Sequence, residues 1–501
     1  MQQADICLLL EGTYPYVRGG VSSWVHQLIT GLPQYSFYLV FLGGAKEAYG
    51  KQHYTLPDNV LGLETHFIMQ PDKFGPPRAR LGKAKAFSMW QEVLVRFNQS
   101  DKPLSSAQLQ LMLTQLGQRH GLSYEDFLYS EHSWQILVEL YLTQAENQSF
   151  VDFFWTFRNI YTPLFSLVKI ANQLPPAKML HSISTGYAGF LGALLKQRFK
   201  VPFLLSEHGI YTKERKIDLT QASWIQDRHF ALDTSIHKKM EQTRQTWISF
   251  FEQLGKSAYQ SADQITALYQ GNCNRQIADG APAEKTTVIV NGINLARFAK
   301  ALQQRPASPP KVAGLIGRVV PIKDIKTFIR TIRVAINSEP ELQGWIIGPT
   351  EEDPAYVKEC ELLIHSLSLQ QHVKFLGMQN VAEILPQLGV CMLTSISEAQ
   401  PLVLLEAMAA GVPCIATDVG SCREIIHGMH AEDQALGSCG HVIGIASPNQ
   451  ASEALLNMLT NPENWQKMSA AGYARVSQYY QEPMMFERYN DLYQRLTTWQ
   501  A

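Results

Sequence analysis

The sequence predicts an α/β protein with two doubly wound domains, each built around a parallel sheet. Short apolar runs, which are typical of buried parallel strands, alternate with helix-periodic segments along most of the chain. The chain also has 501 residues, which is too long for one ordinary hydrophobic core. The low-complexity segment Lys300–Lys311 separates two such series and is predicted to be a linker.

The first domain is predicted to span residues 1–298. Its strands are expected at Ile6–Leu10, Phe37–Leu42, Met179–Ile183, Phe203–Ser206, Gln264–Leu268 and Thr287–Val290. From about residue 71 to residue 176 the sequence is aromatic-rich and helix-periodic, which predicts a helical insertion. Acceptor binding, contact with a partner and plain packing are all compatible with such an insertion.

The second domain is predicted to span residues 299–477. Its strands are expected at Val312–Ile316, Gly344–Ile347, Val373–Leu376, Val390–Leu393, Pro413–Ala416 and His441–Ile445. The remaining segment, 478–501, has Tyr, Phe and Leu at helical spacing and is predicted to form a C-terminal helix.

The composition argues against several classes of protein. Hydrophobic residues make up 46% of the chain and charged residues 17%, as in a globular protein. A net charge of −1 without a Lys/Arg block gives no support to nucleic-acid binding. The seven cysteines include no Cys-x-x-Cys pair, so neither a disulfide framework nor a zinc site is expected. Without a signal-peptide pattern or a membrane-length apolar run, the protein is expected to be cytoplasmic, with any membrane association made through partners.

Two glutamates, Glu398 and Glu406, mark the most informative part of the chain, Ser397–Pro413. Charge is costly in such an apolar helix start unless it has a partner. The local pattern is strand, loop and helix, which places Glu398 at the carboxyl end of a strand, where open α/β sheets bind ligands. Glu406 lies on the helix that follows, whose amino end favours anions.

This Glu-x7-Glu spacing, the Ala-Gly-x-Pro after it and Ala416–Gly420 together resemble the signature of family 4 retaining glycosyltransferases. The resemblance implies a GT-B fold, in which two Rossmann-like domains face a cleft and the last helix returns to the first domain. It implies that the first domain binds the acceptor and that the second binds the nucleotide sugar. It also implies that Glu398 contacts the donor sugar and that Glu406 holds the ribose hydroxyls. The family usually has Gly where this chain has Ala399, whose methyl group is expected to narrow the pocket or to alter which sugar fits.

Arg318 and Lys323 belong to Gly314–Asp324, which resembles the family's Gly-Arg-x4-Lys element. A departing nucleoside diphosphate gains negative charge, and two cations that meet its oxygens stabilise the transition state. The chain contains no Asp-x-Asp, the carboxylate pair that metal-dependent glycosyltransferases use. We therefore expect no metal or other cofactor, and activity that survives a chelator.

The first domain contributes three further candidates. Gly19 and Gly20 lie between a strand and a helix, where backbone amides can approach a phosphate or a sugar. His208 follows another strand, and the resemblance implies a catalytic role beside the donor sugar. The neighbouring charged residues are either acceptor contacts or a charged loop: Lys213, Glu214 and Arg215.

The remaining predicted substrate-binding residues are Asn291, Leu402, Val403 and Asp418. Asn291 begins an Asn-Gly turn that is predicted to be a hinge with contacts in the cleft. Asp418, with Ser421 and Arg423, follows a strand and is predicted to shape the nucleotide pocket.

The motifs together, including Glu11–His26, resemble most the cytoplasmic glycosyltransferases of Pel exopolysaccharide systems. This resemblance implies a UDP-sugar donor, a growing amino-sugar polysaccharide as acceptor and an inner-membrane synthase complex as partner. The predicted reaction is retaining transfer of a hexose or an N-acetylhexosamine. Two alternatives stay open, a UDP-sugar epimerase with a GT-B fold and a non-catalytic subunit that binds a nucleotide sugar.

Overall fold

The structure is a computed structural model that describes residues 3–69, 78–98, 102–118, 120–144, 149–221 and 234–498. The chain forms two compact units. The first comprises Met1–Ala267, Cys273–Thr287 and Asn490–Ala501, and the second comprises Leu268–Asn272 and Val288–Tyr489. The long segment of the second unit begins at Val288, whereas the sequence analysis begins the second domain at residue 299.

Seven strands, counted over the described residues, form the parallel sheet of the first unit in the order β3-β2-β1-β4-β5-β6-β7. They are β1 Ala4–Glu11, β2 Phe37–Gly43, β3 Val60–Phe67, β4 Ala177–Ser182, β5 Phe203–Glu207, β6 Gln264–Ala267 and β7 Thr286–Val288. The strand order reverses at β1, which pairs with both β2 and β4. Ten helices accompany this sheet in the described ranges: α1 Gly20–Gly31, α2 Ala84–Asn98, α3 Ser106–Gln115, α4 Tyr124–Tyr129, α5 Glu131–Gln144, α6 Phe150–Gln173, α7 Tyr187–Phe199, α8 Tyr211–Gln221, α9 Thr234–Ser261 and α10 Gln270–Ala278.

The strand β3 is absent from the sequence-based prediction. It lies at the edge of the sheet, and its residues are only partly buried. Glu64 of β3 accepts a hydrogen bond from Tyr38 of β2 over 2.6 Å, and His66 Nε2 lies 2.9 Å from the same carboxylate. An edge strand needs no continuous apolar run, so the pattern that marks the buried strands is missing here.

Helices occupy the predicted insertion. The segment from α2 to α6 packs its apolar side chains, among them Trp90, Phe127 and Tyr161, into the core of the first unit. Residues 70–77, which contain the start of the predicted insertion, lie outside the described residues.

The second unit has a six-stranded parallel sheet, counted over the described residues, in the order β10-β9-β8-β11-β12-β13. Its strands are β8 Val312–Ile316, β9 Gln343–Ile347, β10 Val373–Gly377, β11 Val390–Leu393, β12 Cys414–Thr417 and β13 Gly440–Ile443. Its helices are α11 Leu295–Gln303, α12 Ile325–Ala335, α13 Pro354–Ser366, α14 Val381–Ile384, α15 Leu402–Ala409, α16 Cys422–His427, α17 Ala431–Gln434, α18 Pro448–Thr460 and α19 Pro462–Tyr479. The last helix, α20 Glu482–Thr498, begins in the second unit, and its residues from Asn490 onward belong to the first unit. Two parallel, doubly wound sheets confirm the predicted fold class.

The predicted linker and C-terminal helix differ in detail from the structure. The helix α11 extends to Gln303, so the first residues of Lys300–Lys311 are helical. Phe298 and Ala301 are buried on one face of this helix. The Pro-rich end of Lys300–Lys311 has the composition of a loop, so the sequence pattern did not indicate a helix at its start. The last helix begins at Glu482 rather than 478, and residues 499–501 lie outside the described residues.

No helix in the part of the chain that the structure describes is long and apolar enough to cross a membrane.

A buried ion pair fixes the carboxyl-terminal part of the second unit. Arg475 and Asp433 have no exposed side-chain surface, and Nε of the arginine lies 2.5 Å from Oδ1 of the aspartate. The guanidinium also donates to the carbonyl oxygens of Ile426 at 2.8 Å and Gly437 at 2.8 Å. The second carboxylate oxygen accepts from the Met429 amide at 2.8 Å. The charges are thus fully hydrogen-bonded, as buried charges must be.

Replacing Arg475 by Met leaves the Asp433 carboxylate buried without its cation. We expect the free energy of unfolding to fall by about 3–5 kcal/mol, measured by urea denaturation. Lys467→Met on the same helix is the control, because its ion pair with Glu463 is exposed and contributes little. Equal losses in the two variants would contradict this prediction.

Candidate active site

The turn after β8 carries the two predicted phosphate-binding cations. Arg318 is half-exposed, and its Nη1 pairs with the Glu352 carboxylate. Lys323 ends the short 3-10 turn Pro321–Lys323, which precedes α12. Its side chain lies beside Gly317, where an added methyl group would be 3.6 Å from Lys323 Cε. Arg318 therefore precedes this short turn and Lys323 ends it.

The loop after β11 brings Glu398 onto Lys323. Lys323 Nζ donates to Glu398 Oε1 over 2.5 Å, and Ser395 Oγ donates to the same oxygen over 2.7 Å. The lysine and glutamate side chains are only 19% and 14% exposed, so solvent screens this pair weakly. Because β8 and β11 are neighbours in the sheet, the loops that follow them meet at one edge. The structure thus joins two residues that the sequence predicts to be catalytic.

Hydrogen bonds to backbone carbonyl oxygens hold this loop in place. Thr394 Oγ1 donates to the carbonyl oxygen of Lys323 at 3.0 Å, and the Ile396 amide donates to that of Ile322 at 2.8 Å. From the other side, Thr417 Oγ1 at the end of β12 donates to the Ser395 carbonyl at 2.6 Å. Three neighbouring strand ends therefore fix the position of the Glu398 loop.

Gly420 supports the same loop through close backbone contact. Its φ of +55° is in the left-handed region, which glycine adopts without penalty. An added Cβ would lie 2.4 Å from the Glu398 carbonyl oxygen and 2.3 Å from that of Ala399. The Ser421 amide donates to the Ala399 carbonyl over 2.8 Å. Glycine is therefore required at position 420.

Glu406 lies on α15 and pairs with a different cation. Arg297 Nη1, on α11, is 3.4 Å from Glu406 Oε1, and the glutamate side chain is 18% exposed. Burial raises the pKa of Glu406, and the guanidinium of Arg297 opposes that rise. The structure gives no direct contact between Glu398 and Glu406 among the hydrogen bonds and ion pairs of the described residues.

Three of the other predicted substrate-binding residues lie close in sequence to these glutamates. Leu402 and Val403 form the first turn of α15 and are half-buried against the core of the second unit. Asp418 is held by Arg423, whose Nε and Nη2 lie 3.1 and 2.5 Å from its two carboxylate oxygens. This ion pair is solvent-exposed, so it leaves the Asp418 carboxylate accessible to a competing donor.

Asn291 is buried, and its backbone amide donates to Gln400 Oε1 over 2.7 Å. Its side-chain oxygen Oδ1 is buried without a hydrogen-bond partner among the described residues. Beside it, Gly292 packs against the chain at Glu482, where an added Cβ would lie 2.4 Å from the Cα atom. The Asn-Gly turn thus allows two backbone segments of the second unit to approach closely.

Gly19 and Gly20 lie in the first unit, at the amino end of α1. The backbone of Gly19 is extended, with φ 163°, so no left-handed conformation requires glycine there. A methyl group on either residue would meet no described heavy atom within 4 Å. The helix has no acidic residue in its first turn and no side-chain cap from a described residue. This open helix end is suited to an anion.

His208 also belongs to the first unit, immediately after β5. Its ring meets Trp24 edge to face, with centroids 4.3 Å apart. Burial lowers the pKa of His208 to about 4, so the ring is neutral near pH 7. Its Nε2 has no hydrogen-bond partner among the described residues. A buried nitrogen of this kind is available to a ligand.

Several residues that complete these sites were missed by sequence reasoning. Ser395 binds Glu398, Arg297 pairs with Glu406, Glu352 pairs with Arg318, and Gln400 accepts from the Asn291 amide. Ser395 follows a strand end and precedes Glu398 by three residues, a signal that was present in the sequence. Gln400 lies within Ser397–Pro413, but it and the other two are far along the chain from their partners, so only the fold brings each pair together.

Two family models match the chain. Residues 4–284 match the domain of unknown function DUF3492, and residues 298–475 match glycosyl transferases group 1. The two matches together cover most of the chain and fall largely within the two structural units.

Curated relatives match over part of the chain. It is similar to the N-acetyl-alpha-D-glucosaminyl L-malate synthase of Bacillus anthracis, with 33% identity over 26% of this chain and 32% of that protein. It is also similar to the D-inositol 3-phosphate glycosyltransferase of Streptomyces scabiei, with 26% identity over 40% of this chain and 46% of that protein. The chain thus spans about a third to a half of the length of these curated relatives.

A solved structure matches over nearly the whole chain. HepE of Anabaena, in complex with UDP-glucose, has a TM-score of 0.58 and 15% identity, and the match covers 98% of this chain and 99% of that one. The likeness establishes that the fold is GT-B, as the sequence predicts.

Substituting Gly420 by Ala tests the support of the Glu398 loop. The methyl group would collide with two carbonyl oxygens and would also impose a left-handed conformation on alanine. The conformational term alone costs about 1–2 kcal/mol, so we expect at least that loss in the free energy of unfolding. Gly19→Ala is the control, since a methyl group there meets open space. A Gly420→Ala protein as stable as Gly19→Ala would show that the close contact is unimportant.

Proposed function

The chain belongs to the family defined by the DUF3492 domain and carries a glycosyl transferases group 1 domain, and on this premise we propose that it is a retaining glycosyltransferase. In this proposal it moves a hexose or an N-acetylhexosamine from a UDP-sugar to a growing exopolysaccharide. The observation that carries the proposal is the sheltered pair of Lys323 and Glu398, held at adjoining strand ends. It combines a cation suited to a diphosphate with a carboxylate suited to sugar hydroxyls.

The proposed chemistry begins with the leaving group. As the bond between the sugar and UDP breaks, the diphosphate gains negative charge, and Lys323 and Arg318 stabilise it. In the structure both cations already have carboxylate partners, Glu398 and Glu352. Binding of the diphosphate would exchange these partners for phosphate oxygens. Glu398 would then be free to accept a hydrogen bond from the donor sugar.

The remaining residues position the donor. Glu406 would hold the ribose hydroxyls, because its carboxylate is largely buried and its one ion pair among the described residues is the long contact to Arg297. Leu402, Val403, Asn291 and Asp418 would line the nucleotide pocket. In the first unit, His208 would contact the sugar, and the open amino end of α1 at Gly19 and Gly20 would offer amides to the donor.

Retention in this proposal requires no covalent nucleophile from the protein. The departing phosphate oxygen accepts the proton of the acceptor hydroxyl, while the acceptor oxygen forms the new bond on the face that UDP leaves. No step uses a metal, because Arg318 and Lys323 supply the positive charge. An epimerase would instead alter the sugar of the nucleotide sugar without any acceptor. A subunit that only binds the nucleotide sugar would neither transfer the sugar nor alter it.

The biological setting is proposed from the sequence resemblance to PelF and the glycosyltransferases of Pel exopolysaccharide systems. A UDP-sugar as donor is supported by HepE, which was solved with UDP-glucose. The acceptor would be a polysaccharide that contains amino sugars. An inner-membrane polysaccharide synthase complex would hold this protein at the cytoplasmic face of the membrane.

Calorimetric titration tests the nucleotide site. We expect UDP to bind in preference to GDP and ADP, and equally well with EDTA present. Glu406→Ala should weaken UDP binding by about 10- to 100-fold, because a hydrogen bond to a charged group contributes about 1.5–3 kcal/mol. Glu453→Ala, on the exposed face of α18, is the control and should bind as the wild type. EDTA-sensitive binding, or binding indifferent to Glu406, would refute this arrangement.

Transfer assays test the two cations. Arg318→Ala and Lys323→Ala should each lower kcat by about 100-fold or more, the effect of removing one donor that stabilises an oxyanion. The matched control is Lys326→Ala on α12, since Lys326 pairs with Glu359 and not with Glu398. Wild-type turnover in both Arg318→Ala and Lys323→Ala would overturn the proposed mechanism, as would a changed sugar formed without acceptor.

A further inference from the structure

The first unit contains a cavity of about 550 Å³ at the carboxyl ends of its strands. The loops after β1, β2, β3, β4 and β5 all contribute to its walls. These strands include β1 and β4, between which the strand order reverses. Open α/β sheets bind ligands at such a reversal, because the loops on its two sides diverge and leave a crevice.

Four buried polar atoms of the cavity walls have no hydrogen-bond partner among the described residues. They are Thr13 Oγ1, Ser184 Oγ, the hydroxyl of Tyr187 and His208 Nε2. Thr13, Ser184 and His208 follow the ends of β1, β4 and β5, three neighbouring strands, and Tyr187 begins α7, the helix after β4. Buried polar atoms in proteins are almost always paired, so four unpaired ones around one cavity indicate a ligand that forms hydrogen bonds with them. Three of the four are hydroxyl groups, which can both donate and accept.

At the amino end of α7 the charges around the cavity argue against an anionic ligand, whereas the open amino end of α1, assigned above to the donor, borders the cavity at Val21. The helix α7 begins at the cavity, and its amino end would attract an anion. This chain fills that position with its own carboxylate: Glu11 Oε2 accepts from the Ala188 amide at 3.0 Å, and Oε1 accepts from the Tyr211 hydroxyl at 2.6 Å. A phosphate or carboxylate ligand would lie beside Glu11 and be repelled.

The other charged residues of the walls do not reverse this balance. Glu214 adds a second carboxylate, placed against Gly209. Arg215 contributes a positive charge to the cavity wall, and its guanidinium lies 5.0 Å from the centroid of the Tyr211 ring. Burial lowers the pKa of His208 to about 4, so this histidine adds no positive charge near pH 7.

Aromatic rings form much of the remaining surface. Tyr49, Tyr187, Tyr211 and Phe251 line the cavity together with the three unpaired hydroxyls. Apolar ring faces combined with a few placed hydroxyl groups suit a ligand that has both C–H faces and hydroxyl groups. A sugar ring has this character.

We propose that Glu11 makes this cavity selective for an uncharged saccharide as the acceptor of the transfer reaction and excludes anionic acceptors, with His208 placed where the acceptor and the donor sugar meet. The proposal rests on the proposed glycosyltransferase function and adds the chemical class of its second substrate. The proposed preference for an uncharged acceptor would distinguish this chain from the two relatives described above. Their names specify malate and inositol phosphate, which are both anions.

Saturation-transfer NMR on the full chain tests the proposal without requiring turnover. The neutral probes are glucose and N-acetylglucosamine, and the anionic probes are glucuronate and glucose 6-phosphate. We expect the neutral sugars to receive saturation from the protein and the anionic ones to receive little. Glucose and glucuronate differ at one carbon, so their comparison isolates the effect of charge. Equal or stronger binding of the anionic sugars would overturn the proposal.

Variants identify the site. Tyr187→Phe and Ser184→Ala each remove one oxygen and should weaken binding of the neutral sugars by about tenfold, the effect of one lost hydrogen bond. Tyr473→Phe, at an exposed position of the second unit, is the matched control and should bind as the wild type. Neutral-sugar binding that is unchanged in both Tyr187→Phe and Ser184→Ala would exclude this cavity as the site.

Glu11→Gln is expected to add binding of anionic sugars, a result that a misfolded protein could not produce. It keeps the shape of the side chain but removes the charge, so glucose 6-phosphate and glucuronate should now bind within about tenfold of glucose. Continued exclusion of both anions would refute the role of Glu11. UDP titration on the same samples separates the two proposals: intact UDP binding without binding of any neutral sugar overturns the acceptor inference alone, whereas loss of UDP binding counts against the glycosyltransferase proposal itself.

Discussion

The parallel direction of the strands is the constraint on which both sites depend. Among the described residues, strands β1 to β6 of the first unit and the six strands of the second unit pair in parallel, so the loops that follow them emerge at one edge of each sheet. In the second unit this arrangement places Lys323, after β8, against Glu398, after β11. In the first unit it gathers the loops of five strands around one cavity. Residues far apart in the sequence become neighbours because of strand order alone.

In both units, the carboxylates of the candidate sites have partners within the protein. Glu398 has Lys323 and Ser395, Glu406 has Arg297, and Glu11 has the amino end of α7. Pairing lowers the cost of burying charge and fixes each side chain in one orientation. It also divides the pairs into two kinds. In the proposed mechanism a charged donor takes over the partners of Glu398 and Lys323, whereas the carboxylate of Glu11 occupies the amino end of α7 and is proposed to exclude other anions.

The sequence predicted the buried strands well because each is a continuous apolar run between turn residues. It missed β3 because an edge strand is half-exposed and carries Glu64, Thr65 and His66 in place of apolar side chains. It misplaced the start of the linker because α11 is a short amphipathic helix that ends among residues with turn-like composition. The candidate residues around Glu398 could be identified because they belong to short motifs with fixed spacing.

The sequence by itself determined the two-domain α/β fold, the strand ends that carry Arg318, Lys323, Glu398 and His208, and the resemblance to a glycosyltransferase family. These features are local, since apolar runs, turn residues and motif spacing are all set by neighbouring residues. Only the tertiary structure decided that Glu398 pairs with Lys323 and that Arg297 faces Glu406. It also decided that four buried polar atoms with no hydrogen-bond partner in the described ranges surround one cavity. These contacts join segments separated by many residues, and their positions follow from strand order and side-chain packing, which no local pattern encodes.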